Sequence, residues 1–285
     1  MAITKETVEQ AYNYGCKRIC FGDDPHADLR WPKDQNQFNY GTINLPFRHG
    51  IELSYPFRLY PSRNNENRPD AGWHYFKDAE DRAKATEWCN RCGNTVFLYD
   101  CLHASVALSY NFRFENNSWV RTELWQLEHD AKQNGDAEAT NKIAKKMGTF
   151  ISTFQPYSDA DLICGVPAQE GKDWHIPAEL AGRISTATGK PDVTDSFLFD
   201  RKKPSIQALP LNAKWDGLAR TDFKVNSADG ALTNKKVILI DDKYQSGVTL
   251  QYVASKLLKN GAGQVYGLCA VKTMRDDDND GPPDN

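Results

Sequence analysis

The sequence predicts an α/β protein built on a doubly wound, largely parallel sheet, and three observations support this fold class. From about Trp119 onward, short apolar segments alternate with amphipathic ones, as strands and helices of a parallel sheet do. Residues 237–240 are branched apolar residues in an unbroken run, which is typical of a strand buried on both faces. Before residue 119 aromatic residues and prolines crowd together instead, so we expect an additional N-terminal α+β region.

The expected elements divide the chain into residues 1–118 of uncertain fold, a domain over 119–274 and an acidic tail over 275–285. Helices are predicted at 76–89, 122–133, 137–154, 176–188 and, after the turn at Gly247, from about residue 250. Strands are predicted at 161–166, 196–199, 237–240 and 264–271.

Two segments of the chain are predicted to be irregular. The stretch between Phe199 and Val237 is rich in Lys and Arg and too long for an ordinary connection, so we expect a lid there. The tail holds five Asp, two Pro and one Gly and no apolar residue, so it is predicted to be disordered.

Composition limits the classes of function. The chain has 285 residues, enough for about two domains, and a net charge of −3, so no overall basic field attracts nucleic acid. The seven cysteines, an odd number without a recognisable signal peptide, favour free thiols in a cytoplasmic protein. No apolar run is long enough to predict a membrane span.

The turn after residue 240 predicts a phosphate site. Ser246, Gly247, Val248 and Thr249 precede a run of apolar residues at helical spacing, so their N–H groups are the unpaired donors of a helix N-terminus. Gly247 lets the backbone approach phosphate oxygens, and the two hydroxyls add donors. A P-loop is excluded because no Gly-Lys-Ser/Thr sequence follows the turn.

Two acids stand between the strand and this turn. Asp241 and Asp242 would repel a phosphate at close contact, so we expect them to face another part of the ligand. Vicinal ribose hydroxyls and the waters of a Mg²⁺ ion both suit carboxylates at the end of a strand. The sequence leaves these two partners open.

Residues 235–250 resemble the signature of the type I phosphoribosyltransferases, which bind phosphoribosyl diphosphate (PRPP). The signature has four apolar residues, two acids, two variable residues and Thr/Ser-Thr/Ser-Gly-x-Thr, and Gln245 departs from it. The resemblance implies the type I phosphoribosyltransferase fold and a Mg²⁺ cofactor held through PRPP by Asp241 and Asp242. It also implies a PRPP-binding segment made of Lys243, Tyr244, Gln245, Ser246, Gly247, Val248 and Thr249.

Residues 119–273 resemble the ComF family within this class. Residues 127–136 resemble its Leu-Lys-x-x-Gly-Asp helix-turn, with Lys132 ahead of Gly135-Asp136, and residues 201–209 resemble its hood segment. Residues 162–169 resemble the strand and loop that bind the diphosphate, which implies donors from Gly165, Val166, Pro167 and Ala168. Arg201 and Lys203 are implied as cationic, catalytic partners, with Lys202 and Arg220 in the same lid.

The family pattern is not followed throughout the lid. The ComF hood has a second Arg and an Asn ahead of its closing Phe, whereas residues 214–223 of this chain differ. Trp215 lies in this stretch. It could stack on a base, but packing of a Trp under a loop is the commoner case.

ComF proteins carry an N-terminal zinc ribbon, which leads us to consider the cysteines as ligands. Cys89 and Cys92 have the spacing of a zinc knuckle, and Cys16 and Cys20 are a looser second half, with Cys101 and His103 as a rival. Buried structural thiols are the commoner use of such residues. Both a structural Zn²⁺ and buried thiols stay open, while Cys164 and Cys269 are predicted to be core residues.

The function expected from these features is phosphoribosyl transfer from PRPP to a small nitrogen acceptor. The alternative is a non-catalytic PRPP- or nucleotide-binding module that acts in DNA uptake, DNA modification or phage defence. Residues 1–118 would then contact a protein or nucleic-acid partner, for which Arg58, Arg63 and Arg68 are a hint. A homodimer is also expected of either function.

Overall fold

The structure of the protein is a computed structural model. It describes residues 2–22, 33–35, 38–62, 68–168, 174–199, 209–221, 223–225 and 230–276.

The described residues form seven α-helices and fourteen strands. The helices are α1 (Lys5–Tyr12), α2 (Ala79–Cys92), α3 (Glu123–Asn134), α4 (Ala137–Thr153), α5 (Ile176–Thr188), α6 (Leu211–Ala219) and α7 (Val248–Lys259). The strands are β1 (Arg18–Cys20), β2 (Lys33–Gln35), β3 (Phe38–Leu45), β4 (Tyr60–Pro61), β5 (Gly72–Tyr75), β6 (Val96–Leu98), β7 (Ala104–Tyr110), β8 (Phe112–Glu115), β9 (Ser118–Arg121), β10 (Leu162–Gly165), β11 (Phe197–Phe199), β12 (Phe223–Val225), β13 (Lys236–Tyr244) and β14 (Gln264–Lys272).

The central sheet confirms the predicted fold class. Its six strands lie in the order β1-β6-β7-β14-β13-β10, and the four from β7 to β10 are parallel. Ile238 and Ile240 of β13 pack into the core that contains α3, α4 and α5, whereas Val237 and Leu239 pack into the core that contains α7. The strand is therefore buried on both faces, and helices cover both sides of the sheet.

The central sheet contains strands from both sides of the expected domain boundary between residues 118 and 119, so this boundary does not separate two domains. Strand β7 pairs in parallel with β14, so that Val106 lies opposite Leu268. Strands β6 and β1 extend the sheet in antiparallel pairing. Four other N-terminal strands form a separate sheet in the order β2-β3-β5-β4, and β8 pairs with β9 in a two-stranded sheet. The α+β character expected before residue 119 is confirmed, but its strands are partly those of the central sheet.

Two expectations of irregular structure need correction. The segment expected as one long lid contains helix α6 and strand β12, which pairs with β11. Periodicity alone does not reveal them because both are short. In the tail, Asp276 is held in ion pairs with Lys17 and Lys272, so the ordered part of the chain continues past residue 275. Residues 277–285 lie outside the described part.

None of the described helices is long and apolar enough to cross a membrane.

Gly165 ends β10 where the start of α5 comes closest to the sheet. A Cβ at this position would lie 2.6 Å from the carbonyl oxygen of Pro177, and backbone cannot move aside as a flexible side chain can. We expect Gly165→Ala to lower the free energy of unfolding by about 1–3 kcal/mol through overpacking.

The matched control is Gly182→Ala in α5. A Cβ there meets its nearest atom at 3.8 Å, an ordinary contact. Since Ala favours helix over Gly by about 1 kcal/mol, this variant should be as stable as the parent or more stable. Urea unfolding of the three proteins measures both effects, and equal losses in the two variants would contradict the close approach.

Candidate functional site

The turn between β13 and α7 has the geometry of a phosphate-binding turn. Gly247 is the N-cap of α7 with φ of 73°, in the left-handed region that favours glycine. A Cβ on it would lie 2.1 Å from the hydroxyl oxygen of Tyr244. That hydroxyl lies under the turn and donates to the buried Asp100 carboxylate at 3.2 Å. Tyr244 therefore supports the turn from the protein side.

The outer side of this turn offers donors to a ligand. No side chain caps the start of α7, so the first N–H groups of the helix receive no bond of that kind. Ser246 and Thr249 are both partly exposed beside them. The helix dipole adds partial positive charge at the same end. This arrangement suits a phosphate dianion.

The two acids of β13 differ in their surroundings. Asp241 is partly exposed and accepts the N–H of Asp242 at 3.0 Å. Asp242 is only 8 % exposed, and its carboxylate forms an ion pair with Lys132 of α3. Burial by itself would raise the pKa of Asp242, but the charge of Lys132 and its hydrogen bond outweigh this and hold that pKa well below its usual range.

Glu128 completes a network of four alternating charges. Its side chain is 1 % exposed and accepts from Lys132 Nζ at 3.4 Å and from Lys243 Nζ at 3.0 Å. The nearby charge of Asp242 raises the pKa of Lys132 well above its usual range, so Lys132 stays protonated. Sequence reasoning missed Glu128, although it lies one helical turn before Lys132, the residue singled out in the helix-turn motif.

This network separates the roles expected of the two acids. The Asp242 carboxylate is already paired with Lys132, and its Oδ1 also accepts the N–H of Lys243 at 2.8 Å. Asp241 is the more exposed of the two acids and on that ground the better placed to meet ribose hydroxyls or a water of Mg²⁺. Carboxylate oxygen is a ligand that Mg²⁺ prefers, so Asp241 fits the implied metal.

The 165–168 loop offers fewer donors than expected. The N–H of Gly165 donates to Thr194 Oγ1 at 2.7 Å, and that of Val166 donates to the carbonyl oxygen of Ile240 at 2.8 Å. Pro167 has no N–H. At most one of the four expected donors, that of Ala168, is left for a diphosphate.

The departure from the signature at Gln245 has a partner in α6. Lys214, only 4 % exposed, approaches Gln245 Oε1 with its Nζ at 3.3 Å. Trp215 of the same helix packs edge-on against Tyr252 of α7 at 5.2 Å between ring centroids, so its packing role is confirmed. Arg220 is exposed at the end of α6, while Arg201, Lys202 and Lys203 lie outside the described residues.

The cysteines form no disulfides, and the described part of the fold does not gather them into a metal site. All seven lie in the described ranges and are unbonded to one another. Within those ranges no three His, Cys, Asp or Glu side chains come together as a metal site would need. Cys89 and Cys92 pack in one hydrophobic core and Cys20 in the other, and Cys16 is half-buried. Burial raises the pKa of the Cys89 thiol to about 12.

Breaking the ion pair of Asp242 should destabilise the protein and shift its acid sensitivity. Lys132→Met leaves a buried carboxylate without its cation, and we expect a loss of about 2 kcal/mol in the free energy of unfolding at pH 7, less than for a fully buried pair because Lys132 is partly exposed. Because the folded-state pKa of Asp242 lies below its unfolded value, its contribution is present above about pH 4 and is lost as pH falls further. The variant should therefore lose less stability than the parent on acidification.

Urea unfolding between pH 7 and pH 2 tests this expectation. Lys142→Met is the control, since Lys142 pairs with Glu138 on the exposed face of α4 and should contribute at most about 0.5 kcal/mol. Parallel pH profiles for the parent and Lys132→Met would contradict the assigned pairing.

No family model matches the sequence, and no curated protein is significantly similar to it. Among solved structures, the chain resembles glutamine PRPP amidotransferase from B. subtilis in complex with ADP and GMP, at 16 % identity and a TM-score of 0.36, over 62 % of this chain and 36 % of that one. It also resembles purine phosphoribosyltransferase from Pyrococcus horikoshii Ot3, at 19 % identity and a TM-score of 0.31, over 49 % and 84 % of the two chains. Adenine phosphoribosyltransferase from Leishmania tarentolae shares 14 % identity at a TM-score of 0.33, over 59 % and 91 %. TM-scores this low establish no common structure, so the site is interpreted from its own residues.

Proposed function

We propose that this protein transfers the 5-phosphoribosyl group of PRPP to a small nitrogen acceptor and releases diphosphate. The observation that carries the proposal is the order of elements after Asp241. This acid lies in β13, and the start of α7, which has no side-chain cap, follows within nine residues. The sequence resemblance of residues 235–250 to the PRPP signature supports the same ligand. We further propose that the chain stands nearest the ComF family within this class.

Each part of PRPP has a candidate partner. The 5′-phosphate would bind the N–H groups at the start of α7 and the hydroxyls of Ser246 and Thr249. The ribose hydroxyls would bind Asp241. The diphosphate would lie toward Ala168 and the cationic residues Arg201 and Lys203. Mg²⁺, when bound through PRPP, would offset the negative charge of the leaving diphosphate.

The reaction needs a stabilised positive ribose and a dry site. The bond from C1 to the diphosphate oxygen breaks, the bond from C1 to the acceptor nitrogen forms, and that nitrogen loses a proton. The negative charge of Asp241 near the ribose would favour the positive charge that develops on it. Helix α6, held to the turn by Lys214 and Gln245, would help to exclude water that otherwise hydrolyses PRPP.

The cellular location, the oligomeric state and the bound metal of the protein are proposals as well. A cytoplasmic protein is supported by the seven free cysteines. A homodimer and a structural Zn²⁺ stay predictions from the sequence.

Removing one phosphate donor should weaken PRPP binding selectively. We expect Thr249→Ala to reduce the affinity for PRPP in the presence of Mg²⁺ by about tenfold, the effect of one hydrogen bond to a charged group. Calorimetric titration measures it, and Thr149→Ala on the exposed side of α4 is the control. Equal PRPP affinities of the two variants would contradict the proposal that this turn binds the 5′-phosphate of PRPP.

Asp241→Asn tests the enzyme itself. Diphosphate release is followed with PRPP, Mg²⁺ and a panel of bases, and the variant should slow transfer at least tenfold because a neutral side chain stabilises the ribose cation poorly. Binding of PRPP without diphosphate release by the parent, with any base or with water, would leave only the binding-module alternative.

One surface feature favours a second candidate function, that of a nucleic-acid-binding module. A groove of about 990 Å³ runs between the end of α2, the β8–β9 hairpin and α4. Its cationic lining residues are Arg91, Arg113, Lys142, Lys145 and Lys146, and its aromatic ones are Tyr110, Phe112, Phe114 and Phe150. Cations along a groove with interleaved aromatic rings suit single-stranded nucleic acid. Glu115 and Glu123 offset part of the charge.

Charge reversal in this groove tests the second candidate. A Lys145→Glu, Lys146→Glu double variant should bind single-stranded DNA at least tenfold more weakly and with a smaller salt dependence. Lys235→Glu, Lys259→Glu is the control with the same change in net charge. Fluorescence anisotropy with a labelled oligonucleotide gives both quantities, and equal affinities for the two double variants would exclude the groove.

A further inference from the structure

The four-stranded sheet β2-β3-β5-β4 carries aromatic side chains on the face that points away from the core. Its inner face holds Ile43 and Leu45 of β3, which pack in the hydrophobic core. The outer face of such an antiparallel sheet is normally polar. Here Tyr60 of β4 and Trp73 and Tyr75 of β5 lie on it. We call these three side chains the aromatic face.

The three rings form one continuous surface. Tyr60 lies opposite Trp73 in the strand register, and their rings stack with centroids 5.1 Å apart and planes at 27°. The Tyr75 ring meets that of Trp73 at 4.2 Å between centroids and 60° between planes. Although each ring covers part of its neighbour, Tyr60 stays 42 % exposed and Tyr75 37 % exposed. Clustered aromatic surface of this kind marks a place where a ligand binds.

The inner side of the sheet holds the aromatic face in position. His74 lies between Trp73 and Tyr75 in β5, and its buried imidazole stacks on Phe57 at 4.6 Å with the planes 6° apart. Phe57 precedes Tyr60 by three residues, so this stack also fixes the segment that leads into β4. The rings are therefore preorganised, and a ligand that stacks on them needs to order little of the protein.

A polar side chain flanks the rings on one side. Asn44 of β3 lies opposite Trp73, on the side away from Tyr60. It is exposed, and its Nδ2 donates to Thr42 Oγ1 at 3.2 Å, which holds the amide beside the ring. Since an amide has both donors and an acceptor, it suits the polar edge of a base that stacks on the ring.

A positive charge flanks the rings on the other side. The exposed Arg58 guanidinium lies over the Tyr60 ring, with its Cζ 5.2 Å from the centroid. In the described part of the chain no acid pairs with Arg58, whereas Glu52 and Asp70 both pair with Arg48. A guanidinium at the edge of a stacking surface is placed to bind the phosphate of a ligand whose rings lie on that surface.

These features favour one kind of occupant. Aromatic rings stack on nucleobases of any sequence, and an open sheet face with aromatic side chains can stack two or three bases. The bases of a duplex are already stacked on one another, so the rings suit a single strand. An apolar protein surface would instead bury the charge of Arg58 without compensation.

We propose that the aromatic face binds single-stranded nucleic acid, with bases stacked on the three rings and a phosphate bound by Arg58. The face shares no residue with the groove between α2, the β8–β9 hairpin and α4, so the two surfaces are separate. The proposal depends neither on phosphoribosyl transfer nor on binding of nucleic acid in that groove.

Fluorescence anisotropy of a labelled single-stranded DNA oligonucleotide with the full chain tests the proposal. Trp73→Ala should weaken binding at least tenfold, whereas Trp73→Phe keeps a ring and should stay within about threefold of the parent. Arg58→Gln should weaken binding and lower the slope of log affinity against log salt concentration by about one. Lys259→Gln, at the exposed end of α7, is the control with the same loss of charge and should keep the slope of the parent.

Two further ligands separate stacking from the attraction between charges. An abasic oligonucleotide of the same length and a duplex of the same sequence both keep the phosphates but offer no unstacked bases, so each should bind at least tenfold more weakly. Tyr60→Ala, at a more exposed ring than Trp73, should also weaken binding of the intact single strand. This variant keeps the test decisive if Trp73→Ala does not fold, which urea unfolding measures.

The proposal is overturned if the parent binds no oligonucleotide, or if it binds the abasic strand as tightly as the intact one. It is also overturned if Trp73→Phe, Tyr60→Ala and Arg58→Gln all bind as the parent does. A dimer of the parent in sedimentation that Tyr60→Ala abolishes, without any binding of oligonucleotide, would assign the face to a second copy of the chain instead. Because PRPP is absent from these experiments, the proposed transfer activity and the aromatic face can fail independently.

Discussion

The charged network between β13 and α3 is the constraint on which the rest of the site depends. Glu128 and Asp242 are buried acids, and a buried carboxylate without a cation is costly. Lys132 and Lys243 supply the cations and thereby hold the helix against the end of the strand. With Asp242 held in this way, the turn that follows β13 begins from a fixed position, and Asp241 is the more exposed of the two acids.

The turn between β13 and α7 is also supported by Asp100, a residue distant in the sequence. Asp100 follows β6 and accepts from Tyr244, whose ring occupies the space that a side chain at position 247 would need. Burial raises the pKa of Asp100. The turn proposed to bind phosphate is local in the sequence, but its position depends on packing and hydrogen bonding contributed by Asp100 in the N-terminal region.

Local patterns predict those parts of the structure that local physics determines. Helices α3, α4 and α5 lie within a residue or two of their predicted bounds, because each has a long apolar stripe. Thr122 and Asp136 cap the starts of α3 and α4, while α5 begins beside Pro177 and ends at Gly189. The start of α7 after Gly247 is predicted because glycine and apolar residues at helical spacing are adjacent there, whereas phosphate binding at this turn stays a prediction. Helix α6 is missed because nine residues carry too little periodicity.

The parts that could not be predicted depend on partners distant in the chain. Whether the N–H groups of Gly165 and Val166 are available depends on Thr194 and Ile240, and nothing near residue 165 reveals this. The place of β7 in the central sheet could not be predicted for the same reason, because its partner β14 is distant in the chain.

The pairing of β7 with β14 also affects how the chain folds. Strand β14 lies between β13 and β7, so a fragment beginning at residue 119 would expose an apolar strand edge, where chains aggregate. Docking β7 joins residues some 160 positions apart, a non-local contact of the kind that slows folding and that a nascent chain can make only after β14 has been synthesised.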